Sequence, residues 1–240
     1  MTIAGTTRVV ALLGKPVAES LSPRMQNAAF AARALDWAYV ALEVEPERLG
    51  EAVRGLSALG FAGANVTIPH KRAVLDYCDE LDSFAERAGS VNTLMVEHGR
   101  VLGSSTDTEA LREVEASRAA VIGAGGAARA CIQALADAGA ETRVFSRRRE
   151  WPPDASGCDL VVNATPVRDD PLVELRPELQ VVDLAYRSDG RPTALVEAAR
   201  AAGCRVVVDG LEALVRQGAA SFERWTGVPA PLDVMRAAVR

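Results

Sequence analysis

The sequence predicts an α/β protein built as two lobes with a cleft between them, and three observations carry that prediction. Short β-branched runs alternate with Ala-, Leu-, Arg- and Glu-rich stretches of helical period along nearly the whole chain. The alternation falls into two series, joined by one helical stretch at about Thr108 to Glu115. The 240 residues suffice for one large domain or two small ones. Alternation of this kind implies parallel strands with helices on both faces.

In the first series, Arg8 to Leu13 reads as a strand. A helix follows from Pro23 to Leu35, where Ser22 can cap and Pro23 suits the first turn. Trp37 to Val44 and Phe61 to Ile68 are further strands, separated by a helix over Pro46 to Leu59. His70 to Leu81 reads as a third helix, and Val91–Val96 with Arg100–Leu102 as a hairpin turning at His98-Gly99. In the second series, strands are expected at Ala119–Ile122, Thr142–Ser146, Asp159–Ala164, Gln180–Leu184 and Arg205–Val208. Ala127–Ala138 and Thr193–Ala202 read as helices stopped by Gly139 and Gly203. The two prolines in Arg149–Gly157 argue for a lost or shortened crossover there. The tail from Leu211 is helical, broken at Gly227–Pro231.

Composition narrows the function. A net charge of -5 and a pI near 5.2 argue against nucleic-acid or anionic-membrane partners, and 5% aromatics argue against base stacking. No stretch approaches the roughly 20 uninterrupted apolar residues of a membrane span. The segment MTIAGTTRVVALLGKPV lacks a secretory layout, so a cytoplasmic protein is expected. Cys78, Cys131, Cys158 and Cys204 are scattered without a C-x-x-C and read as buried apolar thiols. His70 and His98 are isolated and read as surface residues, leaving no metal-ligand cluster.

The clearest local signal is VIGAGGAARA at 121–130, a strand, a Gly-rich turn and a helix. Gly123, Ala124, Gly125, Gly126 and Ala127 let backbone approach a pyrophosphate at a helix N-terminus, as in a Rossmann-type lobe. The spacing is not the full G-x-G-x-x-G, and a tight structural turn is the alternative. An acid for the ribose 2′-hydroxyl is expected at the end of the next strand. Ser146, Arg147, Arg148 and Arg149 stand there instead, and guanidinium groups match a 2′-phosphate, so NADP(H) is favoured over NAD(H).

On the other lobe, small polar side chains gather at strand ends: Ser20 and Ser22, then Asn65, Thr67 and Lys71, then Asn92, Thr93, Thr106 and Asp107. Each alone is ordinarily a cap or turn residue. Together, hydroxyls, amides, one amine and one carboxylate suit a small polyhydroxylated anion, and ligands of α/β sheets collect at strand carboxyl ends.

These residues lie in GKPVAESLSPRMQN (14–27), GANVTIPHK (63–71), GSVNTL (89–94) and STD (105–107). With VIGAGGAARA, SRR (146–148), VNATP (162–166), VVDLAY (181–186) and GLEALVRQGAASFERWTG (210–227), they make the chain resemble the shikimate dehydrogenase family. The resemblance implies a substrate-binding domain from 1–107 completed by helices at 211–240, and an NADP-binding domain at 108–210. It also implies reversible, NADP-dependent reduction of 3-dehydroshikimate to shikimate, a step of chorismate and aromatic amino acid biosynthesis. Lys71 then matches the catalytic lysine and Asp107 its partner. Ser20 and Ser22 match the pair that holds the substrate carboxylate, and Asn65, Thr67, Asn92, Tyr186 and Gln217 match substrate-side positions. The glycine turn matches the family's phosphate turn, Ser146, Arg147 and Arg148 stand where the family has Asn-Arg-Thr, its 2′-phosphate clamp, and Thr165 and Gly210 match positions near the cofactor.

Departures from the family pattern are Glu19 and Gln26 where histidines are usual, Ser105 and Thr108 for an asparagine and a glycine, and Glu212-Ala213 for Gly-Met. Arg187–Gly190 fills the gap before the expected proline. They leave open a relative acting on quinate or an amino analogue of shikimate, or a binding paralogue without turnover. A monomer or homodimer is expected.

Overall fold

The structure, a computed structural model, describes residues 3–240, with Val206 described through its backbone alone. Met1 and Thr2, which head the segment read above for a leader, lie outside the described residues. The chain divides into two compact units: one up to Thr106 together with Val215–Arg240, the other Asp107–Leu214.

The first unit opens with β1 (Arg8–Gly14), α1 (Ser22–Ala32), β2 (Trp37–Glu43), α2 (Leu49–Ala58) and β3 (Gly63–Val66). It continues with β4 (Glu80–Leu81), α3 (Ser83–Ala88), β5 (Thr93–Glu97) and β6 (Arg100–Ser104). The strands order as β2-β1-β3-β5-β6-β4 in one sheet. β1 runs parallel to β2 and β3, with Leu12 opposite Asn65. The hairpin then reverses direction, so β5 is antiparallel to both β3 and β6. Its turn needs positive φ at both central residues, and His98 (51°) and Gly99 (81°) supply it. Leu13, Leu49, Val53, Leu56 and Leu94, each no more than 2% exposed, anchor one face; a buried side chain of that size contributes roughly 1.5–3 kcal/mol.

The second unit holds β7 (Arg118–Ile122), α4 (Gly126–Asp137), β8 (Glu141–Phe145), β9 (Leu160–Asn163), β10 (Gln180–Asp183), α5 (Ala194–Ala201) and β11 (Val206–Val208). Its sheet, β11-β10-β9-β7-β8, is parallel throughout. Ala128, Cys131 and Leu135 of α4 pack one face. On the other face no helix spans β8 to β9. Ala155 and Cys158, both buried, fill that space beside Phe145, Val161 and Leu179. α6 (Gly210–Thr226) begins in this unit and ends in the first, where α7 (Leu232–Val239) packs on α1.

Several local expectations change. Ser22 does not cap α1; it is the helix's first residue, and its N–H donates to Ser20 Oγ at 3.2 Å. The helix expected over His70–Leu81 shrinks to a 3-10 segment, Ala73–Tyr77, because the Asp79 backbone pairs with Val101 and draws Glu80–Leu81 into the sheet. The joining stretch is likewise a 3-10 segment, Asp107–Leu111. His70 is buried rather than at the surface: its Nε2 lies 2.8 Å from the Val44 carbonyl oxygen. None of the four cysteines forms a disulfide; Cys131 and Cys158 are buried and Cys78 and Cys204 half-buried. Burial, reinforced by Asp79, pushes the Cys78 thiol up to about 12, which makes it a poor nucleophile.

Candidate active site

Three of the expected substrate-side residues, Asn65, Asn92 and Gln217, join one largely buried polar network. Asn92, directly before β5, donates through Nδ2 to Thr106 Oγ1 (3.0 Å) and Gln217 Oε1 (3.2 Å). Its Oδ1 accepts from the Thr106 backbone N–H (2.8 Å) and from the Thr93 hydroxyl (3.0 Å). Asn65 stands opposite Thr93 across the β3/β5 pair. The Tyr39 hydroxyl donates to its Oδ1 (2.9 Å), while its Nδ2 donates to the Asn92 carbonyl (3.0 Å) and Ser221 Oγ (3.0 Å). Both ends of the Asn65 amide are thus engaged within the unit, bracing Asn92 from behind. A network satisfied this completely fixes one geometry.

Sequence reasoning missed Tyr39 and Ser221. Ser221 Oγ meets Thr93 Oγ1 at 2.8 Å and Thr106 Oγ1 at 3.2 Å, so it joins α6 to β5 and to the chain just past β6. The available signal was spacing: Gln217 and Ser221 stand four apart and share a helix face.

Lys71 is placed by its backbone. Beyond β3, the Thr67 N–H donates to the Leu13 carbonyl (2.9 Å) and its carbonyl accepts from the His70 N–H (2.8 Å), which turns the chain. The Lys71 carbonyl accepts from the Val91 N–H (2.8 Å), next to Asn92. With the His70 ring anchored to β2's end, Lys71 is pinned on both sides and its side chain is half-buried. Thr67 packs tightly on Gly14. Ser20 is half-buried and Ser22 buried. Asp107 is buried, one residue beyond Thr106.

In the second unit the glycine turn has the form a pyrophosphate needs. Gly123 has φ 129° and its N–H donates to the Phe145 carbonyl (2.8 Å); a Cβ there would stand 2.8 Å from the Ala164 carbonyl oxygen. Around a Cβ at Gly125, by contrast, there is open space. α4 starts at Gly126 with no side-chain cap and no acidic residue in its first turn, so no carboxylate of its own offsets its N-terminal dipole. Ala124 is exposed, Gly126 and Ala127 half-buried. Ser146, Arg147 and Arg148 follow β8 directly, with both guanidinium-bearing residues exposed. This donor set fits a dinucleotide carrying a 2′-phosphate.

Thr165 is held through its N–H (2.9 Å) and hydroxyl (2.7 Å), both donating to Asn163 Oδ1. Asn163 in turn donates to Asp183 Oδ1 at 2.8 Å, and Asp183 also accepts from the Ala185 N–H and the Thr193 hydroxyl. Tyr186, half-buried, lies just beyond. Burial pushes Asp183 up to about 6, against the lowering effect of those three hydrogen bonds. A raised carboxyl favours its protonated form in the folded state. Stability from this group is therefore highest below the unfolded value and is lost as pH rises through 6, by about 3 kcal/mol. Asp183→Asn keeps the shape and removes the ionisation. Urea denaturation from pH 4.5 to 7.5 should show the wild type losing about 2 kcal/mol of that stability relative to the variant; parallel profiles would refute the assignment.

A family model described as the shikimate dehydrogenase substrate binding domain matches residues 12–94, and one described as the shikimate 5'-dehydrogenase C-terminal domain matches 210–240. The chain is 40% identical to a shikimate dehydrogenase (NADP(+)) of Methanopyrus kandleri, across 100% of this chain and 97% of that protein. A solved shikimate 5-dehydrogenase of Thermus thermophilus, in complex with NADP(H) and shikimate, matches with a TM-score of 0.82 at 33% identity, covering 98% of this chain and 99% of that one. A ligand-free 5-ketofructose reductase of Gluconobacter sp. strain CHM43 matches with a TM-score of 0.84 at 28% identity, covering 98% and 99%.

Proposed function

The chain belongs to the shikimate dehydrogenase family, and from that premise we propose that it is an NADP-dependent enzyme interconverting 3-dehydroshikimate and shikimate. End-to-end kinship with an NADP(+) enzyme of that activity carries the proposal.

In this reading Ser20 and Ser22 bind the substrate carboxylate, and Thr67, Asn92, Gln217 and Tyr186 bind the ring hydroxyls, with Asn65 holding Asn92 in place. Lys71 Nζ gives a proton to the ketone oxygen as it becomes an alkoxide and takes it back in the oxidation. Asp107 orients that amine, which stabilises the developing oxyanion. NADPH, when bound, supplies the hydride. Gly123, Ala124, Gly125, Gly126 and Ala127 hold its pyrophosphate, Ser146, Arg147 and Arg148 its 2′-phosphate, and Thr165 and Gly210 lie beside it. No helix among the described residues is long and apolar enough to cross a membrane. Four cysteines outside any disulfide suit a reducing compartment, and we place the enzyme in the cytoplasm as a monomer or homodimer.

The test is reduction of NADP+ or NAD+ with shikimate, quinate, amino-shikimate and fructose in parallel. Turnover of shikimate with NADP+ is expected, and faster than with NAD+. No turnover of shikimate, or faster turnover of another of the four, would overturn the assignment. Equal use of NAD+ would overturn the cofactor preference alone.

A further inference from the structure

Three arginines follow β8, and the structure separates them. The Arg147 guanidinium carbon lies 5.7 Å from the centroid of the Trp151 ring. Arg148 and Arg149 have no ring partner among the described residues. Trp151 is itself unusual: Trp37 and Trp225 are 6% and 7% exposed, whereas Trp151 is 42% exposed.

The loop that carries Trp151 is fixed. The Ser146 N–H donates to the Glu150 carbonyl (3.2 Å) and the Arg149 N–H to the Ser146 carbonyl (2.9 Å), a turn that brings Trp151 back over Arg147. On its far side Arg143 reaches Glu150 at 3.6 Å, Asp154 at 3.4 Å and the Ser156 carbonyl at 3.2 Å. Ala155 is buried beneath. An indole kept in water on a clamped loop, facing one particular guanidinium, calls for a role outside the core.

We propose that Trp151 is a positioning residue for cofactor discrimination, holding the Arg147 guanidinium ready for the ribose 2′-phosphate of NADP(H). The proposal rests on the NADP reading above. A cation over an indole is held by its charge and need not spend its N–H donors, which stay available to the phosphate oxygens. An arginine ordered in advance loses less side-chain freedom on binding. Arg147 is then the principal 2′-phosphate ligand, and Arg148 and Arg149 add general positive field.

Calorimetric titration with adenosine 2′,5′-bisphosphate and with 5′-AMP tests this. The wild type should bind the bisphosphate more tightly. Trp151→Ala should weaken the bisphosphate about two- to fivefold, the range of an exposed cation–π contact, and leave 5′-AMP unchanged. Trp151→Phe, which keeps a ring, should recover most of that loss. In an Arg147→Ala background, removing Trp151 should change nothing. Equal weakening of both nucleotides would assign Trp151 to the adenine or to loop stability and overturn the proposal. So would a loss that persists without Arg147, or no loss at all. A wild type that binds both nucleotides equally would overturn the NADP reading itself, and is seen before any variant is made.

Discussion

Lys71→Ala should lower kcat for shikimate oxidation by about two to four orders of magnitude, the range supplied by a positioned general acid/base. The fold should be untouched, because what places Lys71 is its backbone: its carbonyl bonded to Val91 and the neighbouring His70 ring bonded to Val44. The side chain is half-buried, so its loss leaves no sealed cavity. Thermal melting and NADP+ affinity should therefore match the wild type while the rate collapses. Lys71→Arg divides the role further. Arginine keeps the charge but does not give up a proton at working pH. An arginine variant as slow as the alanine variant assigns proton transfer to Lys71, and one near wild-type rate assigns electrostatic stabilisation. An alanine variant with normal kcat would refute both roles.

The second large effect is structural. Gly210 opens α6, capped by Asp209, whose Oδ1 accepts the Glu212 N–H at 2.9 Å. A Cβ at Gly210 would collide with the Ala185 carbonyl and stand 2.9 Å from the Tyr186 nitrogen. Both obstacles are backbone at the end of β10, with no flexible side-chain end to move aside. Gly210→Ala should destabilise the protein by about 3 kcal/mol, as overpacking does, and should displace Tyr186. Gly125→Ala makes the contrast, since open space surrounds its Cβ. Its methyl should spare the melting temperature and weaken NADP+ binding by projecting into the phosphate turn. If Gly210→Ala melts like the wild type, close approach is not what requires glycine there.

These two glycines show how far the sequence could be read. Both stand in motifs and both read as cofactor residues, but only the structure shows that Gly210 is required by the Ala185 carbonyl. Signals carried by neighbours in the chain were legible: the hairpin at His98-Gly99, the turn before α4, the Gly203 stop after α5. So was the absence of a helix after β8, from Pro152 and Pro153. Helix α3 was legible but unread, with Asp82 accepting the Ala85 N–H at its start and Gly89 left-handed at its end. What depends on distant partners was not legible. His70 looks like a surface residue until the Val44 carbonyl is in place, and Glu80–Leu81 looks helical until β6 is there to pair with it. Ser221 is one more small helix residue until Asn65, Thr93 and Thr106 arrive from 115 to 156 positions away.

That last span bears on synthesis. The first unit is not a contiguous stretch of chain: Phe222 stacks on Phe30 at 5.4 Å, Trp225 donates to the Leu94 carbonyl at 2.9 Å, and Ser221 and Gln217 complete the polar network. On the ribosome, the residues up to Thr106 are therefore made well before the segment that completes their unit. Residues 107–214 form a continuous unit that can close while the sheet begun at β1 still waits for α6. Until Val215–Arg240 emerge, the nascent chain carries the Asn65–Asn92 cluster uncovered, and loss of those residues should cost the first unit its fold as well as Gln217.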